Sequence, residues 1–218
     1  MELKKEKSLI DKGFNFVCGI DEVGRGPLAG PIVICCYVLD LEKVNNIIEG
    51  VAHVRHVQEL ENLNLINDSK KLSDKKRRIL VDFIENIAVG FSFGEATNVE
   101  IDNYGIIEAN RLAIERGVNK LKNRPDYYLF DYNTCDLGFL NSPYEKIVKG
   151  DSSVFSIACS SILAKVYRDD LMVEFGKVYD GYGFEKHAGY GTGKHIEAIK
   201  ELGLSDLHRK SFCKNFVN

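Results

Sequence analysis

The chain has 218 residues, of which 44% are hydrophobic and 28% charged, an ordinary globular balance that is long enough to bury a proper core in one domain. Its net charge of −3 gives no overall pull toward nucleic acid or an anionic membrane, so a polyanion must be met by a local patch. The six cysteines form no C-x-x-C pair, which argues against a disulfide framework or a zinc knot; no apolar leader stands at the N-terminus, and the longest apolar run, 27–39, is too short and too rich in Pro and Gly to span a bilayer. A soluble, cytoplasmic protein without a membrane partner is expected.

Residues 1–13 are charged and read as a short helix or frayed lead-in. Residues 14–23 (FNFVCGIDEV) read as a strand whose polar end carries Asp21 and Glu22. After the loop Gly24-Arg25-Gly26-Pro27, residues 32–39 (IVICCYVL) are continuously apolar and suit a strand buried on both faces, paired with the first as a hairpin. Residues 40–66 allow a helix without compelling it. A turn at 67–69 precedes a helix that starts at Ser73-Asp74 and runs to about Ile87, with Ile79, Leu80, Phe83, Ile84 and Ile87 at helical spacing. The loop before it and its first turns carry Lys70, Lys71, Lys75, Lys76, Arg77 and Arg78.

Residues 89–96 alternate like an edge or half-buried strand, and 99–122 read as a helix broken near Tyr104-Gly105. Residues 126–131 (DYYLFD) form a short apolar run ending in Asp131, and 144–148 (YEKIV) another that leads into Lys149-Gly150-Asp151-Ser152-Ser153. A long helix follows over about 154–175. Residues 176–218 are Gly- and Tyr-rich, with a short helix near 195–202 and a basic segment, His208-Arg209-Lys210. This order predicts one α/β domain over 1–218, a mixed sheet flanked by helices, with 176–218 as a helical C-terminal flank.

Asp21, Glu22, Asp131 and Asp151 each sit at or just beyond the polar end of a predicted strand. Carboxylates that converge there cannot all stay ionised without a cation, and Mg2+ or Mn2+ suits such oxygen donors. Taken singly, Asp151 before Ser-Ser and an apolar helix reads rather as a helix N-cap, and Asp131 as a turn residue. Asp21 and Glu22 are neighbours and point to opposite faces of a regular strand, so both reach one site only if the strand bends there. Residues 24–29 match the letters G-x-G-x-x-A, but a strand follows where a dinucleotide site needs a helix. His187 and His195 lack the partners of a zinc site and read as structural or phosphate-contacting. Tyr190, between Gly189 and Gly191, could stack on a sugar or base, and the basic run with Arg209 and Lys210 could form a nucleic-acid groove.

Together the motifs GIDEVGRGPLAGP (19–31), NDSKKLS (67–73), LFDYN (129–133), KGDSS (149–153), SSILAKVYRD (160–169), KHAGYGT (186–192) and HRKSF (208–212) resemble those of ribonuclease HII, the type 2 ribonuclease H, in the family's order. Arg25 between the glycines and the short N-terminus favour type 2 over type 3. The resemblance implies a ribonuclease H-like fold. It implies cutting of RNA in RNA/DNA hybrids and at single ribonucleotides in duplex DNA, with two Mg2+ or Mn2+ ions and 5′-phosphate and 3′-hydroxyl products. It places the catalytic, metal-binding carboxylates on Asp21, Glu22, Asp131 and Asp151, and substrate contacts on Gly24, Arg25, Gly26, Tyr190, Lys70 and Lys71. A monomer is expected. The main departure is the long segment around 42–66, at the edge of the substrate groove. A non-catalytic hybrid-binding module is the alternative, and it predicts loss of one of the four acids, all of which are present.

Overall fold

The side chains of β2 (Ile32–Leu39) explain the layering. Cys35, Tyr37 and Leu39 enter one apolar cluster, and Ile32, Ile34, Cys36 and Val38 enter another on the opposite face. Successive residues of a strand point to opposite faces, so a run with no polar member must be covered on both. The computed structural model describes residues 3–49, 56–66 and 72–216 and shows those two covers. On one side lie α2 (Leu41–Ile48), α3 (His56–Ile66), α4 (Asp74–Asn86) and the long α6 (Phe155–Val178); on the other lies α5 (Asn98–Lys120).

The sheet is mixed, as expected, with strand order β3-β2-β1-β4-β5. β1 (Val17–Val23) and β2 form the anticipated hairpin, and β3 (Ala88–Ala96) adds antiparallel to β2 as an edge. β4 (Tyr127–Asp131) runs parallel to β1, and β5 (Tyr144–Ile147) parallel to β4. α5 is kinked at Gly105 (φ 80°), where the sequence predicted a break. α4 begins at its Ser73 cap and buries Leu80, Phe83 and Ile84. Ile79, expected on that stripe, is instead exposed, because the buried face follows the 80-83-84-87 phase. The six cysteines are free and buried, and among the described residues no helix is long and apolar enough to cross a membrane.

α6 packs directly on β1. A Cβ on Gly19 would overlap the backbone of Ser156 and Ile157, so only glycine permits this approach. The helix start is held from outside its own sequence. Asp151 is not the N-cap: it lies in a 3-10 turn over Gly150–Ser152, entered through left-handed Lys149, and the cap position is Val154, which makes no side-chain bond. The orphan amide of Ser156 is met instead by Oε1 of Glu6 at 2.8 Å, from α1 (Lys4–Ile10), and Glu6 is fully buried.

The C-terminal flank contains α7 (Phe184–His187), α8 (Gly193–Leu202) and α9 (Lys210–Cys213). Three histidines join it. The amide of Ser205 donates to His208 Nδ1, which leaves the ring proton on Nε2 to donate to His195 Nε2 at 3.1 Å; His195 Nδ1 then donates to the Tyr190 carbonyl. His187 stacks on His195 at 4.4 Å. His187 and His195 are thus structural rather than phosphate-contacting, since their ring nitrogens are spent inside the protein.

Two outcomes follow from these buried groups. Glu6→Ala should lower the unfolding free energy by about 1–3 kcal/mol in chemical denaturation, the range for a lost charged hydrogen bond. Burial, and then the neighbouring His195, push His208 down to about 4. The unfolded histidine takes up its proton first, so stability present above about 6.5 should fall as pH drops toward 4, by on the order of 3 kcal/mol. The melting temperature of His208→Gln should fall less steeply across that window.

Candidate active site

The acids meet where β1 outruns its parallel neighbour. The β1–β4 ladder ends at Ile20↔Phe130, leaving Asp21 and Glu22 beside Asp131, the last residue of β4. The β1–β2 ladder continues unbroken through Val23↔Val33, so the bend expected after Asp21 does not occur. The two acids therefore keep to opposite faces, on either side of the end of β4, and each still feels the charge of Asp131. On the α6 face, the Asp21 amide donates to Ser160 Oγ at 2.9 Å and its carboxyl meets Ser161. On the α5 face, Glu22 lies near the buried amide of Asn110, without a hydrogen bond of normal length, and 3.3 Å from Arg25 Nη1. Asp131 Oδ1 accepts the Gly150 amide at 2.7 Å, which brings the turn carrying buried Asp151 to the same sheet edge.

The electrostatics are those of crowded, buried carboxyls. Burial pushes the Asp21 carboxyl up to about 8; Ser161 opposes this, while the charges of Glu22 and Asp131 add to it. Burial raises Glu22 as well, and Arg25 offsets it. Among the described residues no three metal-ligating side chains close into a ready-made cage. Asp21 Oδ1 is turned back onto the Glu22 amide and Asp131 onto Gly150. The donors are nonetheless hard carboxylate oxygens, several of them mutually repelling, and such a set fits a hard divalent cation.

The glycine loop lies beside these acids and against the C-terminal flank. Gly24 has φ +95°, a left-handed conformation that excludes a Cβ, and one built there would overlap Arg168. Leu28 donates to Gly189 O at 2.8 Å, so the loop and the Tyr190 segment are brought together. Tyr190 is 41% exposed, with the Arg168 guanidinium 6.0 Å from its ring centroid. Beside it a groove of about 430 Å³ is lined by Arg77, Arg78, Lys165 and Lys186, with Asp74 and Asp169 among them. Arg78 is paired with Asp74 and Asp170. Lys70 and Lys71 lie outside the described residues.

Arg209 departs from its expected place in a phosphate groove. It is fully buried, as is Arg168, and both spend their donors on backbone carbonyls. Sequence reasoning missed Arg168, Asn110 and Ser160 as site neighbours. Arg168 leaves one signal: it repeats at i and i+4 with Ala164 and Met172, both buried, and so interrupts an apolar stripe of α6 with a charge. Ser160 and Arg168 also both fall in the motif SSILAKVYRD, whereas Asn110 leaves no signal, since a small polar residue within a helix looks alike in either role.

Residues 18–215 match the family model described as Ribonuclease HII. The chain is 44% identical over 207 residues to the ribonuclease HII of Clostridioides difficile (strain 630), covering 95% of this chain and 73% of the relative. In fold it is similar to the ribonuclease H2 of Pyrococcus horikoshii OT3 (22% identical, TM-score 0.70, covering 93% of this chain and 97% of that one). It is also similar to Bst-RNase HIII in complex with Mn2+ (17% identical, TM-score 0.59, covering 86% and 63%). With the match spanning nearly its whole length, the chain belongs to the ribonuclease HII family and is a ribonuclease H, a hydrolase that cuts nucleic acid internally.

Proposed function

We propose that this protein cuts the RNA strand of RNA/DNA hybrids and also excises single ribonucleotides from duplex DNA, with Asp21, Glu22, Asp131 and Asp151 holding two Mg2+ or Mn2+ ions. The observation that carries the reading is Asp21: a buried carboxyl pushed up to about 8 by burial and by neighbouring Glu22 and Asp131, three residues before a glycine loop that bonds to the segment bearing the exposed Tyr190. When bound by these carboxylates, the ions would activate a water and stabilise the leaving oxygen, and cleavage would leave 5′-phosphate and 3′-hydroxyl ends. The chain's own groups do the rest. Ser160 fixes the backbone at Asp21, Gly150 orients Asp131, and Arg25 balances Glu22 until substrate arrives.

Discrimination falls to the neighbouring loop. The 2′-hydroxyl is what separates RNA from DNA, and backbone groups of Gly24, Arg25 and Gly26 can approach it because glycine leaves room. Tyr190 stacks on the adjoining deoxyribose, so the cut falls where RNA passes into DNA. The groove beyond Tyr190 tracks the duplex with its lysines and arginines. Lys70 and Lys71, which lie outside the described residues, are retained from the family motif as further phosphate contacts.

The direct test offers duplexes with one ribonucleotide, four or more, or none, in Mg2+, Mn2+ or chelator. Cutting of the ribonucleotide-bearing duplexes only, and only with metal, is expected. Asp21→Asn should slow it by at least about a hundredfold, the loss of several kcal/mol of metal-based stabilisation. Because a folded carboxyl raised above its unfolded value costs stability as pH rises through about 8, the metal-free variant should melt no lower than wild type at pH 8. A variant that keeps wild-type rates removes Asp21 from the site.

Gly26→Ala probes the reader. Its Cβ would meet nothing within 4 Å, so the fold is unaffected, yet the methyl would stand where a sugar approaches. Cleavage at a lone ribonucleotide should slow about tenfold or more, as should cleavage by Tyr190→Ala through one lost stacking contact. Unchanged junction cutting by either variant excludes that residue.

A further inference from the structure

Two guanidinium groups are buried behind the glycine loop, and neither joins an ion pair among the described residues. Arg209 donates to the carbonyls of Gly24 (2.6 Å), Arg25 (3.0 Å) and Gly30 (2.9 Å). Arg168 donates to those of Pro31 (2.9 Å), Ala29 (3.2 Å) and, across the gap, Ala188 (2.9 Å). Burying a charge without a counter-charge is expensive, and burial and mutual repulsion both work against the Arg209 cation. A neutral donor would hold a loop at less cost, so the arrangement calls for a role beyond stability.

The orientation of the peptide units supplies one. In a planar trans peptide the N–H points opposite to the C=O. When Arg209 draws the carbonyls of Gly24 and Arg25 inward, the N–H groups of Arg25 and Gly26, which belong to the same two units, face the other way. Among the described residues neither N–H donates to an acceptor. The space beside Gly26 is open. We infer that Arg209 is the positioning residue of the ribose reader, holding two adjacent backbone donors outward for the substrate sugar and phosphate, while Arg168 ties that loop to the segment bearing Tyr190. The fork geometry is essential, since a lysine keeps the charge but presents no planar array to three carbonyls. The two positive charges behind the loop also favour an anionic backbone in front of it.

This inference rests on the ribose-reading role proposed above, and the test separates the two. In the cleavage-impaired Asp21→Asn protein with chelator, affinities for a duplex with one ribonucleotide and for the same all-DNA duplex are measured by fluorescence anisotropy. Arg209→Lys should reduce the preference for the ribonucleotide at least fivefold while all-DNA affinity stays within twofold. A merely structural role would lower both affinities together, and that result, or an unchanged preference in a folded variant, overturns the inference. Gly26→Ala retaining the full preference overturns the reading itself. If Arg209→Lys does not fold, amide exchange in the Asp21→Asn protein decides: Arg25 and Gly26 should exchange without protection when unbound and be slowed by the ribonucleotide duplex but not by all-DNA. Protection in the unbound protein overturns the proposal.

Discussion

The seating of α6 on β1 at Gly19 is the contact on which the other arrangements depend. With no side chain between them, helix and strand approach closely enough for Ser160 to bond the Asp21 backbone and the Cys35 carbonyl, and for Ser161 to meet the Asp21 carboxyl. Farther along the same helix, Arg168 reaches the glycine loop and Met172 packs with Ala29. One straight element thus sets the spacing between the acids and the loop. Any side chain at position 19 would displace both ends of the site at once, since a core at crystal-like density transmits such a shift rather than absorbing it.

Charge is buried with both signs at this edge of the sheet, and each sign is handled differently. The carboxylates are left crowded and buried, so that Asp21 holds its proton up to about pH 8. The guanidinium groups are satisfied from within, by carbonyls that would otherwise face the substrate. The result is a negative pocket beside a loop with a positive backing, a pairing suited to a ligand that carries both a bound cation and phosphate oxygens. The overall charge of −3 conceals this, because the sorting occurs over a few residues.

Much of the fold was legible in the sequence. The apolar run of β2, the break at Gly105 and the Ser73 start of α4 follow from periodicity and capping, which are local. The family motifs singled out four acids, and the structure sets Asp21, Glu22 and Asp131 near one another with the turn bearing Asp151 beside them. What sequence reasoning could not see was pairing across long separations. Asp151 looked like an N-cap because its neighbours fit, but the amides it would have capped, those of Ser153 and Val154, bond to the Gly150 carbonyl, and α6 starts later with its Ser156 amide held by Glu6, 150 residues earlier. A bend was expected after Asp21, whereas the β1–β2 ladder runs on unbroken and it is the β1–β4 ladder that ends early, which a single strand does not reveal. Arg209 looked solvent-facing among basic neighbours, and only the tertiary fold turns it inward.

The bond between Arg209 and Gly24 spans 185 residues of chain. The β1–β2 hairpin can form early in synthesis, and the sheet can be completed once β5 has emerged, but the loop between those first strands takes its final shape only when the last helix region is made. The conformation of this loop is therefore among the last features of the fold to be set. A partly synthesised chain would hold Asp21 and Asp131 in a finished sheet while the loop beside them still lacked the guanidinium that orders it.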